Sequence, residues 1–511
     1  MVGNLYRNRL VNLGLLMFAT LLGGGTWLHF SETSLYGDSG AFVAVAKHLL
    51  LGKVLYRDVW DMKPPGIFLI LAMLMKGSAG SLKVFHFVQA LMVGFCSLLL
   101  LSHGYKRNGR IVWFILPLVP VWLYSWMNWT YYQNGFFTEE YGSYFLFFSA
   151  LLLLKGGATR YYFLAGILAA LAFLCKELFA FPCLGLIAFL IAEERPWKMP
   201  LIWFVAGACA MLAIIVVWLV YSGAWSHYLD YLQFAFGYSG VGGTSRPGWW
   251  IGIKQFFADW DTNTPLLRYL FWAGVAGWAD RTWDNQKRRI SLMWSLLFLL
   301  CSVFPALGKV QYGHYFLPMA FFGGLISLTG VFWLQHKYKT LISPQWRGRR
   351  ICYIGIPALI VLLFTWQGWN NYRYFYREKY PQVTTEQSEK KQIQSICTGC
   401  TELYVDMEYH GYLYFLSGLG CNLPFLSPYG GYFDENGHPE GAARNRNLLH
   451  SRFTENPPKA MLSGQSFSAG IAYSGLTEFV RGRYKIRDSM VTSTGEKAYL
   501  WVLEGNQSVN P

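Results

Sequence analysis

Two short segments concentrate the residues of this sequence that could do chemistry. Tyr36-Gly37-Asp38-Ser39-Gly40 sets an acid among glycines, and Tyr56-Arg57-Asp58-Val59-Trp60-Asp61-Met62-Lys63-Pro64-Pro65-Gly66 sets two cations and two more acids ahead of a proline pair. An acid beside glycines at the start of a helix can approach a ligand closely; the competing reading is that Asp38 or Ser39 only caps the helix that follows. Lys63 precedes a proline, which holds its backbone extended, and it serves either a specific phosphate contact or an interfacial role with its stem on apolar surface. Three further points add charge: Thr138-Glu139-Glu140-Tyr141, Lys176-Glu177, and Gly308-Lys309-Val310-Gln311-Tyr312-Gly313-His314-Tyr315. Ionisable groups at membrane depth cost a few kcal/mol unless paired or wetted, so one of Glu139 and Glu140 is expected to face a polar cavity. For Lys176 and Glu177 the plain alternative is a pair with each other, and for His314 a hydrogen-bonded interfacial histidine. Carboxylates and lysines together suit displacement of a phosphate leaving group. A carboxylate takes the proton of an attacking hydroxyl while cations neutralise the charge building on the phosphate.

The elements that must position these groups are membrane helices. Of the 511 residues 54% are hydrophobic and only 14% charged, where a soluble domain carries about 25% charged residues. The apolar residues gather in runs long enough for a hydrocarbon core of about 30 Å, without the alternation of a barrel strand. Eleven spans are expected, near residues 11–29, 84–102, 111–126, 141–154, 162–174, 178–192, 200–221, 264–279, 290–306, 316–335 and 351–368. With the N-terminus cytoplasmic, the inside segments hold 18 Lys and Arg and the three short outside loops hold 2, the bias that orients membrane proteins. The formal charge of +15 is therefore a topological signal; a nucleic-acid surface would need a basic face interleaved with aromatics on a soluble fold.

This orientation puts every candidate residue on the outer side. The large first outer loop, residues 30–83, contains Gly40 to Leu51 and Gly66 to Met75, both expected as helices at the membrane surface. A transmembrane domain over 1–370 precedes an extracytoplasmic domain over 371–511, whose short apolar runs (Leu403 to Met407, Tyr412 to Leu416, Ala460 to Leu462, Ala498 to Leu503) suggest a small α/β unit. Cys397, Cys400 and Cys421 lie in that tail. One CxxC pair plus a third cysteine is a weak zinc pattern, and in an exported tail a disulfide is favoured over a metal. No nucleotide-binding or hydrolase signature stands in a credible context.

The acidic first loop, the Tyr56-to-Gly66 segment and the later Gly313-His314-Tyr315-Phe316-Leu317-Pro318 run resemble the GT-C glycosyltransferases of the protein O-mannosyltransferase and lipid A aminoarabinose transferase type, over roughly residues 1–370. The resemblance implies an inner-membrane enzyme that moves a hexosyl or pentosyl group, with inversion, from a polyprenyl-phosphate donor to an envelope lipid, glycan or protein acceptor. By position Asp38 would be the catalytic acid of the first loop and Glu139 or Glu140 the second acid. Lys63 would hold the donor phosphate, with Arg57, Asp61, Lys176, Lys309 and His314 lining the substrate site. Asp38 is followed by Ser39, where many relatives have a second acid. The aminoarabinose transferases place a metal-site acid directly before the lysine; here that residue is Met62, so no metal ligand is assigned, although a divalent metal is the one cofactor the family could bring. Two rival classes are a transporter or flippase, which would place its charges near the midplane on broken helices, and a membrane scaffold without activity.

Overall fold

The computed structural model describes residues 37–78, 84, 87, 135–193, 196–240, 249–263, 265–307, 313–341, 386–407, 410–426, 432–433, 439–492 and 495–504. Four expected spans, 11–29, 84–102, 111–126 and 351–368, fall outside these residues apart from Val84 and Phe87, as does Lys309. The other seven coincide with helices. These are α3 (Thr138–Lys155), α4 (Thr159–Cys175), α5 (Ala180–Glu193), α6 (Lys198–Tyr221), α9 (Pro265–Ala279), α10 (Asn285–Cys301) with its short continuation α11 (Val303–Leu307), and α12 (Leu317–Leu341). Ahead of them come α1 (Asp38–Leu50) and α2 (Pro65–Gly77) from the first loop. The stretch between α6 and α9, expected as a long loop, holds α7 (Trp225–Gly240) and α8 (Trp249–Asn263).

Three stretches among the described residues are long and apolar enough to cross a membrane: Lys198–Tyr221, Asn285–Ala306 and Gly313–Leu334. The 24 residues of α6 span about 36 Å at 1.5 Å per residue. Ile202, Val205, Ile214, Val217 and Val220 project from it exposed, as expected of a face that meets lipid. Where helices meet, small residues let backbones approach: a Cβ on Gly207 of α6 would lie 2.0 Å from the Phe163 carbonyl of α4, and one on Gly330 of α12 would lie 1.9 Å from the Leu270 carbonyl of α9. Both helix pairs are thus closed on glycine.

The described residues between 386 and 504 form an α/β arrangement. A four-stranded sheet runs in the order β1-β2-β4-β3, with β1 (Tyr404–Asp406) parallel to β2 (Ala460–Ser463), and β4 (Lys497–Leu503) antiparallel to both β2 and β3 (Tyr484–Val491). Helices α13 (Glu386–Ile396), α14 (Tyr412–Ser417), α15 (Pro439–Glu455), α16 (Ala469–Tyr473) and α17 (Thr477–Arg483) accompany it. Tyr404, Leu449, Phe453, Met461, Leu476 and Leu500 are buried in its core.

This unit docks on the first loop. Helix α14 packs on α1, and a Cβ on Gly411 would lie 2.8 Å from the Gly40 carbonyl. The Trp60 N–H donates to the Pro424 carbonyl at 2.8 Å, and the Trp60 ring meets Phe234, Phe425 and Tyr432. Both α1 and α2 bury most of their residues against protein, more than helices resting on a membrane surface alone would.

His48 closes the contact. Its Nδ1–H donates to Ala44 O at 2.8 Å, and its Nε2 accepts the Cys421 N–H at 2.9 Å. The bond that Nε2 accepts needs a neutral ring, and burial lowers its pKa from 6.5 to about 4. The unfolded chain therefore binds a proton more readily than the folded one. The contribution of His48 is complete above pH 6.5 and is lost as pH falls towards 4, by on the order of 3 kcal/mol for a shift of this size. The melting midpoint should fall across that window, and His48→Gln, which keeps an amide donor and acceptor but does not titrate, should flatten the dependence.

Candidate active site

The helix that carries Asp38 starts one residue earlier than a capping role requires. Gly37, at φ 80° and ψ −147°, occupies the N-cap position, and no side chain caps the helix. Asp38 is its first helical residue, and its side chain is 38% exposed. Ser39 instead donates its hydroxyl to Gly135 O at 2.6 Å, which ties the start of α1 to the segment leading into α3. The capping reading of Asp38 and Ser39 is thus corrected by a glycine that does the same job through its backbone.

Two glycines bring the other charged points to this place. Gly66, in the first turn of α2, lies against the end of α4, where a Cβ would sit 2.5 Å from the Leu174 carbonyl. Gly142 of α3 lies under the ring of Phe179, where a Cβ would come within 2.0 Å of a ring carbon. Phe179 belongs to the 3-10 turn Glu177–Phe179 that joins α4 to α5, so Gly142 lets the Lys176 segment press on the start of α3. Gly142→Ala should force the two apart. Overpacking of this kind costs about 1–3 kcal/mol, and the variant should show a lower melting midpoint; a midpoint equal to wild type would contradict the packing described.

What that contact assembles is a buried ion pair. Lys176 Nζ donates to Glu139 Oε1, and Thr138 Oγ1 donates to Glu139 Oε2 at 2.7 Å. The Lys176 ammonium also sits 4.0 Å from the centre of the Tyr315 ring. Glu140 points elsewhere, accepting the Phe136 N–H at 2.7 Å and the Tyr144 hydroxyl at 3.1 Å. Glu139 is therefore the acid of the pair that joins the cluster, and Glu140 braces the entrance to α3. The alternative pairing of Lys176 with Glu177 does not occur: Lys176 is extended (φ −159°, ψ 133°), and Glu177 accepts the Tyr231 hydroxyl instead.

His314, in the 3-10 turn Gly313–Phe316 before α12, bridges the two acids. Its Nε2 lies 3.9 Å from Asp38 Oδ2 and 4.0 Å from Glu139 Oε1, and its ring stacks on Phe137 at 4.7 Å.

Lys63 is half-buried in the same cluster. Burial works against its charge, but Tyr315, Asp38, Glu139 and Asp61 outweigh that and raise its pKa. Among the described residues its ammonium makes no ion pair within 4 Å. Its backbone is fixed from two sides, by Pro64 in sequence and by the Tyr56 hydroxyl, which donates to Lys63 O at 2.8 Å. Tyr56 holds φ 66° and stacks on Tyr231 at 4.9 Å. Asp61 is buried beside Lys63, and its Oδ2 accepts the Tyr432 hydroxyl at 3.4 Å. Burial, offset by Lys63 and aided by Asp38, raises its pKa to about 7.

Arg57 is not drawn into the cluster. It forms a two-pronged pair with Asp58 at 2.9 Å and donates to Ser222 O at 3.3 Å. Asp58 in turn caps the tight loop by accepting the Val54 N–H. Arg57 thus shapes the loop that presents Lys63. Tyr315, Thr138, Tyr56 and Tyr432 contribute to the site without having been assigned roles from the sequence; the first three lay inside noted runs, and Tyr432 carried no local signal. Beside Lys63 stands the thioether of Met62, and among the described residues no three His, Cys, Asp or Glu side chains gather as ligands for one ion. This donor set does not suit a hard divalent cation, and no step is assigned to one.

No family model and no curated protein matches the sequence. Among solved structures, ArnT from Cupriavidus metallidurans in the apo state superposes with a TM-score of 0.58 at 13% identity, covering 96% of this chain and 98% of that one. The same protein bound to undecaprenyl phosphate gives a TM-score of 0.57 at 11% identity, with 96% and 98% covered. The chain has the GT-C fold. The archaeal oligosaccharyltransferase AglB from Archaeoglobus fulgidus, in complex with an inhibitory peptide and a dolichol-phosphate, is similar at 11% identity and a TM-score of 0.45, over 98% of this chain and 75% of that one. The GT-C likeness runs through residues 386–504 as well as the helical part, since nearly the whole chain is covered. It is a likeness of fold, and the chemistry of this chain rests on its own cluster.

Proposed function

We propose that this chain is a membrane glycosyltransferase that moves a sugar from a polyprenyl-phosphate donor to an envelope lipid, glycan or protein acceptor on the outer face of the membrane. The observation that carries this reading is the pairing of one exposed acid, Asp38, with one cation free of direct ion pairs among the described residues, Lys63, on a GT-C fold. The acceptor hydroxyl attacks the anomeric carbon as the bond from that carbon to the phosphate oxygen breaks. Asp38 takes the hydroxyl proton, and the electron pair of the broken bond stays on the phosphate, whose charge Lys63 offsets. A single displacement of this kind inverts the anomeric centre. Glu139, held by Lys176 and Thr138, is a buried brace whose charge helps to keep Lys63 protonated. The structure of ArnT with undecaprenyl phosphate supports the reading by showing that this fold can hold such a lipid.

The deciding comparison is of envelope lipids and glycans, by mass spectrometry, from cells with and without this chain. Loss of one sugar mass together with accumulated polyprenyl-phosphate sugar is expected; an unchanged envelope with an altered distribution of lipid-linked sugar between leaflets would favour a flippase. The same reading fixes the topology. Reporter fusions after residues 105, 285 and 345 should report cytoplasm and a fusion at Thr494 the outside, whereas a cytoplasmic Thr494 would put the cluster on the wrong face.

A further inference from the structure

The turn Cys397-Thr398-Gly399-Cys400 joins α13 to the residues before β1 and takes no part in the proposed transfer. The Cys400 N–H donates to Cys397 O at 3.0 Å, and Gly399 takes φ 79°. A turn closed by such a bond holds its end Cα atoms within about 7 Å, and a disulfide needs a separation of about 4.4–6.8 Å. Cys397 is buried and Cys400 half-buried, so only the second is open to an external reagent. The Cys397 thiol hydrogen-bonds Cys400 and, with the nearby Arg487 charge, lowers the Cys400 pKa despite its partial burial. That hydrogen bond and burial raise the pKa of Cys397. The third cysteine of this region is otherwise engaged: Cys421 is buried, its Sγ accepts the Leu423 N–H at 3.4 Å, and its own N–H is held by His48.

We propose that Cys397 and Cys400 are a redox-active pair that closes to a disulfide by exchange with an external disulfide, Cys400 attacking and Cys397 resolving. The Cys400 thiolate attacks one sulfur of the external disulfide, forming a mixed disulfide and expelling one thiolate, which takes up a proton. Cys397 then loses its proton, attacks Cys400 Sγ and expels the second thiol. Two protein thiols become one disulfide and the external disulfide becomes two thiols, so the electrons balance with no other oxidant. The bridge would pin the end of α13. That helix carries Glu389, which accepts the Tyr412 hydroxyl of α14, and α14 packs on α1.

The test uses the full-length protein in detergent, treated with oxidised glutathione and then cleaved after Glu389 and Glu402. The resulting fragment contains only these two cysteines. In wild type it should lose the mass of two hydrogens and carry no glutathione. Cys397→Ser should trap glutathione on Cys400, and Cys400→Ser should leave Cys397 at least about 10-fold less modified, as expected for a buried thiol of raised pKa. A wild-type fragment that stays reduced, or that carries stable glutathione adducts in place of the internal bridge, would overturn the proposal. Equal trapping in the two variants would overturn the assignment of attacking and resolving thiols.

Discussion

Asp38→Asn should fold, insert and bind donor like wild type while losing about 10² to 10⁴ in turnover, the usual cost of removing a general base. The substitution keeps the side-chain shape and removes the charge. It removes no capping bond, because Gly37 stands at the N-cap and Asp38 does not cap the helix. Glu139→Gln is the informative contrast. It removes one partner of the buried pair with Lys176, and breaking such a pair costs about 3–5 kcal/mol of stability. Its lost activity should therefore come with a lowered melting midpoint, whereas that of Asp38→Asn should not. Near-normal transfer by a well-inserted Asp38→Asn protein would hand the role of base to a different group and leave the exposed acid without a function.

The second large effect is expected at Lys63. Lys63→Ala removes the cation that faces the cluster without a direct partner among the described residues, and it leaves Asp38, Glu139 and Asp61 with less opposing charge. A hydrogen bond to a charged group is worth about 1.5–3 kcal/mol, so affinity for a polyprenyl phosphate in nanodiscs should drop by about 10- to 150-fold. Acceptor binding should change far less. Lys63→Arg keeps the charge and should recover part of the loss, although a planar guanidinium does not reproduce the point charge of an ammonium. Equal donor affinity in wild type and Lys63→Ala would take the phosphate away from this residue.

How much of this was legible in the sequence depended on how local the signal was. Asp38 and Lys63 stand in contiguous motifs of glycine, proline and charge, and the structure brings both to one cluster. The choice between Glu139 and Glu140 was closed to sequence, because both start the same helix; it is made by Lys176, 37 residues further on, and by the Phe136 N–H. Arg57 was read from its motif as lining the substrate site, and the structure shows it paired with its sequence neighbour Asp58. Tyr432 meets Asp61 across 371 residues, which only the docking of the α/β unit on α1 can produce. Among the elements, apolar run length gave the seven spans now seen as helices, while α7 and α8 were missed because polar residues interrupt them. Tyr412 to Leu416 is too short for its period to be read; it forms a helix, and Gly411 lets that helix lie against α1.

The most direct measurement is release of polyprenyl phosphate by the purified protein in nanodiscs, supplied with lipid-linked sugars and acceptor from a membrane extract of its own cells. Wild type is predicted to release polyprenyl phosphate and add one sugar mass to an acceptor, with Asp38→Asn doing neither. Equal release by the two proteins, or none by wild type when the complete extract is present, would contradict the account.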